Sequence, residues 1–66
     1  MVVKNAEEAS EIVRSFLLKM GWSSFISPRK AERTDNVWVV EFAVGLQAMR
    51  FKVDAEAAQV LSYETL

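Results

Sequence analysis

The chain has 66 residues, 52% of them hydrophobic and 26% charged, with a formal net charge of −1 and neither cysteine nor histidine. Disulfides, thiolate metal sites and imidazole chemistry are therefore excluded, the composition is not that of a disordered chain, and no long-range field draws the protein to nucleic acid or anionic lipid. A single domain of this size, spanning residues 1–66, buries only about 60% of its unfolded surface, so its stability depends on core quality or on association.

In chain order, Met1–Lys4 is a short apolar lead-in without a signal-peptide core, and the protein is expected to be cytoplasmic. Asn5 is a good N-cap, and Glu8 stands at capping-box spacing from it. Glu7, Glu8 and Glu11 crowd the positive end of the helix dipole, and Lys19 lies near its negative end. Ala9, Ile12, Val13, Phe16, Leu17 and Met20 recur at three- and four-residue spacing and make one apolar stripe. Gly21 is placed for the left-handed position after a helix. The spacing predicts a helix from about Ala6 to Met20.

Trp22–Ser24 reads as a connector, with Trp22 expected to pack against the end of a sheet. Phe25–Arg33 contains Pro28, which cannot donate to a ladder, so this segment is either an edge strand or an irregular arm. Thr34-Asp35-Asn36 signals a turn. Val37–Val44 then alternates with period two. Trp38, Val40, Phe42 and Val44 form a fully apolar face, and Val37, Val39, Glu41 and Ala43 form a mixed one. Gly45 marks the next turn or a bulge leading into it. Met49, Phe51 and Val53 alternate with Arg50, Lys52 and Asp54 in a second amphipathic strand. Asp54–Ala58 turns the chain, as a β-turn or as one helical turn, and Leu61 and Tyr63 alternate with Ser62 and Glu64 in a last short strand.

One helix followed by three or four consecutive strands predicts an α+β domain, with the helix packed on an antiparallel meander. The expected core is Ile12, Val13, Phe16, Val40, Phe42, Phe51, Val53 and Leu61. Four strands cover roughly 14 Å between the outer axes, whereas a helix with its side chains is about 10–12 Å wide. The sheet must curl around the helix, or part of its apolar face stays open.

Val37-Trp38-Val39-Val40, Phe51-Lys52-Val53-Asp54-Ala55 and Gln59-Val60-Leu61-Ser62 resemble the PepSY domain, over about half of the chain. That family runs helix, strand with W-x-V, strand ending in V-D-A, a T-G-E-V-L-type turn and a final strand. The resemblance implies a cystatin-like fold, a helix on a curled sheet, and a non-catalytic binding or inhibitory module. Where the family carries Thr-Gly this chain has Ala57-Ala58, so a left-handed glycine is not available and the turn must be rebuilt.

No residue set reads as catalytic, and no cofactor or metal is expected. Trp38 reads as core, and Met20 and Met49 as core fillers. Glu41 is expected to face solvent opposite Arg50 or Lys52. Asp35, Asp54 and Glu56 read as turn and cap chemistry. Two functions are consistent with this pattern. The first is a small interaction module that binds a protein or peptide or a second copy of itself. Its candidate surface is Val37, Val39, Glu41, Ala43, Arg50 and Lys52 on the outer face of the sheet. The second is a weak nucleic-acid-binding module that uses the basic edge around Arg29, Lys30 and Arg33.

Overall fold

The computed structural model describes residues 2–22 and 25–66. A helix, α1 (Ala6–Lys19), precedes four strands, β1 (Ile26–Thr34), β2 (Val37–Val44), β3 (Gln47–Asp54) and β4 (Gln59–Thr65). All neighbouring strands are antiparallel, and their spatial order is the sequence order, β1-β2-β3-β4. The sheet is an open meander with α1 on one face, the α-β-β-β-β arrangement that the element order predicts.

The helix starts and stops where its chemistry dictates. Asn5 Oδ1 accepts the Glu8 N–H at 2.9 Å, and Glu8 Oε1 accepts the Lys4 N–H at 2.8 Å, one residue before the usual capping-box target. At the other end Gly21 takes φ +98. The Trp22 N–H donates to the Leu17 carbonyl at 3.0 Å and the Gly21 N–H to the Leu18 carbonyl at 3.1 Å, a Schellman closure. Ala9, Val13 and Leu17 are buried, and Ile12 and Phe16 pack on the core from the flank. Met20, the C-cap, and Trp22, beyond the left-handed Gly21, are both expected to pack but stand 49% and 44% exposed. Ser23 and Ser24 of the connector lie outside the described residues.

In β2 burial alternates without a break, with Trp38, Val40, Phe42 and Val44 facing α1. Phe51 and Val53 of β3 meet the same core, which Val3 and Ala55 close at one end. The Val3 N–H donates to the Ala55 carbonyl at 2.7 Å, so the lead-in is tied to the β3–β4 turn before the helix begins. Phe51 packs edge-on against Phe16 and Phe42, at ring-centre distances of 6.1 and 6.3 Å.

Three tight connections set the registers. The β1–β2 turn is Asp35-Asn36, with Asp35 at φ +56. The β2–β3 turn is Gly45-Leu46, with Gly45 at φ +62 in the first central position, where a two-residue hairpin wants glycine. Between β3 and β4 the chain winds one helical turn. Asp54 Oδ1 accepts the N–H groups of Glu56 and Ala57, and the Ala58 N–H donates to the Asp54 carbonyl at 2.9 Å. The turn still exits through the left-handed region, at Ala58 with φ +55, so alanine occupies the conformation that glycine would take without strain.

Leu61 does not join the core and is 54% exposed. A bulge in β4, opposite the step from Lys52 to Val53, shifts the alternation by one residue. Val60 therefore pairs with Val53 and packs on the core, and Tyr63 pairs with Phe51. β1 is an edge strand, as Pro28 requires, with a second bulge between Pro28 and Lys30.

Candidate functional site

The face of the sheet away from α1 carries all six candidate surface residues. Strand alternation puts Val37, Val39, Glu41 and Ala43 there, opposite the inward Trp38–Val44 set, and the register adds Ala48, Arg50 and Lys52 from β3. Val37, Val39, Ala43 and Ala48 are each half-buried on this face, because their neighbours on adjacent strands crowd them.

Across the middle of this face runs a row that only the register reveals. Lys30 pairs with Glu41, Glu41 with Arg50, and Arg50 with Glu64, so the four strands contribute charges in the order plus, minus, plus, minus. Arg50 lies 3.7 Å from Glu41 and 3.1 Å from Glu64. Lys30 turns toward Glu32 on its own strand, at 3.0 Å. That hydrogen bond, and then the charge of Glu32, hold the Lys30 ammonium above the usual lysine range. On one side of the row Ala43 lies beside Ala48; on the other, Val39 lies between Glu32 and Lys52. Of the two partners the sequence allows for Glu41, Arg50 and Lys52, the register selects Arg50.

The basic edge does not form one stripe. Lys30 is on the outer face, tied to Glu32. Arg33 pairs with Trp38, and therefore lies on the helix side, and its Nε–H donates to the Asp35 carbonyl at 2.8 Å. Arg29 sits in the bulge between the two.

On the helix side, α1 leaves part of the sheet uncovered next to β4. An open groove of about 880 Å³ lies between them, with Ile12, Phe16 and Val60 on its floor and Glu7, Glu8 and Glu11 on its helical rim. Tyr63 packs on Phe16 and Phe51, at ring-centre distances of 5.7 and 5.9 Å, yet stays 49% exposed. The sequence hinted at this opening only through the mismatch between sheet and helix widths. It gave no sign of which side stays open, since that depends on where the helix crosses.

Among the described residues, no group of three acidic side chains is placed to hold a metal ion, and no helix is long and apolar enough to cross a membrane. No family model, curated protein or solved structure matches this chain.

Proposed function

We propose that the chain is a non-catalytic interaction module that associates with a second copy of itself through the outer face of its sheet. The row Lys30–Glu41–Arg50–Glu64 carries this reading, because its alternating signs are self-complementary. A two-fold axis parallel to the strands, between β2 and β3, lays β1 over the partner's β4 and β2 over the partner's β3. Lys30 then meets a glutamate, Glu41 an arginine, and each reciprocal pair matches, as an isologous interface requires. Ala43 faces an alanine, so the sheets can approach closely, and Val39 lies along the stem of a lysine. The PepSY-like pattern of β2 to β4 supports the same class of function, since that family is regarded as non-catalytic.

The magnitude is modest. Strand spacing and rise give a face of only about 14 by 23 Å, roughly 330 Å², far below the ~800 Å² per partner of a standard interface. Desolvating the charged row offsets part of its attraction. The dimer is therefore weak and forms at high micromolar concentration. Sedimentation equilibrium with Val39→Lys tests it. The parent should self-associate, and the variant, with a charge in the apolar strip at a position outside the core, should be monomeric with an unchanged circular dichroism spectrum. A monomeric parent, or a variant that associates like the parent, would overturn the proposal.

A further inference from the structure

The two edges of the sheet differ. β1 is blunted by Pro28, by the bulge at Arg29 and by Lys30, Glu32 and Arg33, the devices that stop a strand from pairing further. β4 has no proline and one charged residue, Glu64, and beyond its own bulge at Leu61 the stretch Ser62–Thr65 keeps an unbroken register. The Leu66 N–H donates inward to the Ala48 carbonyl at 2.8 Å. Backbone groups alternate in direction along a strand, so Thr65 and Tyr63 point their N–H and C=O groups away from β3, into open space. The same strand supplies Gln59 and Val60 to the wall of the α1/β4 groove, and further along it Tyr63, packed on Phe16, is 49% exposed.

We infer that β4 accepts an extended peptide of another protein as a fifth antiparallel strand, and that this peptide carries lysine or arginine interspersed with apolar residues on the side facing α1. Strand addition supplies the main-chain bonds, and pockets for alternate side chains supply selectivity. Alternate side chains of the added strand enter the groove. Ile12, Phe16 and Val60 receive the apolar ones. Glu7, Glu8 and Glu11 line the helical rim, Glu11 with Arg14 at 4.0 Å behind it, and Lys19 is the one cation among the described lining residues, so the rim favours positive charge. A second copy of this chain is a poor occupant, because Gln59–Thr65 carries no lysine or arginine to meet that rim. The inference uses the opposite side of the molecule from the outer face and stands independently of the dimer proposed above.

The test uses a fluorescein-labelled nine-residue peptide with threonine at odd positions and Val-Lys-Lys-Val at even positions, and a counterpart with glutamate for both lysines. In low salt the lysine peptide should bind at least tenfold tighter, by fluorescence anisotropy. Amide shifts in the nitrogen-15 spectrum should fall on Tyr63, Thr65 and the Glu7–Ile12 stretch. Glu7→Lys with Glu11→Lys, both on the exposed side of α1, should reverse the preference between peptides. Thr65→Pro, which removes an outward N–H and spares the β3 ladder, should weaken binding tenfold or more. Val39→Lys should bind as the parent does, which separates this outcome from that of the outer face. Equal binding of the two peptides, shifts confined to β1 or the outer face, or unchanged binding by Thr65→Pro would overturn the inference. Protection of the β4 edge amides by pairing with a second copy would overturn it too.

Discussion

Ala58 holds a conformation poorly suited to its side chain. A left-handed backbone costs a non-glycine residue about 1–2 kcal/mol, and glycine returns part of that gain through its larger unfolded-state entropy. Ala58→Gly should therefore stabilise the domain by about 0.5–1 kcal/mol, read as a melting temperature several degrees higher. No change would mean that the left-handed exit at φ +55 is not what limits this turn. Asn5 is the opposite case, a residue suited to its place. Its side chain accepts a first-turn N–H at 2.9 Å, so Asn5→Ala should lower stability by about 1 kcal/mol, seen as an earlier urea midpoint. An unchanged midpoint would show that the exposed first turn frays without loss. The cap was legible because asparagine, glutamate and the apolar stripe agree on one start. The strain was not: without a glycine at Ala57-Ala58 the sequence predicts a rebuilt turn, whereas the helical turn still exits through a left-handed alanine.

At the scale of elements, registers were legible as far as the first irregularity. Asp35-Asn36 and Gly45-Leu46 are two-residue loops, and counting outward from them pairs Lys30 with Glu41 and Glu41 with Arg50. The same count from the Asp54–Gln59 pair fails after Val60, since the bulge at Leu61 inserts one residue. Leucine is as good a core residue as valine, so nothing local to β4 marks which of Val60 and Leu61 turns inward; the bulge decides, by pairing Val60 with Val53. Met20 and Trp22 were misplaced for a related reason. The apolar stripe runs on to Met20, which is the C-cap beyond Lys19, and Trp22, read as packing on the sheet end, follows the left-handed Gly21. The central strand carries the clearest signal. Phe42 is fully buried where α1, β2 and β3 meet, so Phe42→Ala should cost roughly 3–5 kcal/mol and leave little folded protein by circular dichroism. A small drop in melting temperature would show that the core rests on other contacts.

For the whole molecule, the radius of gyration is 10.7 Å, close to the roughly 10.8 Å expected of a compact 66-residue domain. Among the described residues the core is closed without a partner, and one sheet face, two strand edges, of which β1 is blunted, and one groove stay open. Which residues lie on that face was legible from alternation alone. Its alternating charges were not, because Lys30, Glu41, Arg50 and Glu64 are scattered along the chain and meet only through three registers, two of them bulged. The self-complementary row is the central claim, and a charge-swap mixture tests it most directly. One variant, Lys30→Glu with Arg50→Glu, makes the row wholly negative; the other, Glu41→Lys with Glu64→Lys, makes it wholly positive. With folding of each checked by its thermal melt, sedimentation equilibrium should find both variants monomeric alone and a one-to-one heterodimer on mixing, weakening as salt rises. Two variants that stay monomeric when mixed, or that each dimerise alone like the parent, would contradict association through this face.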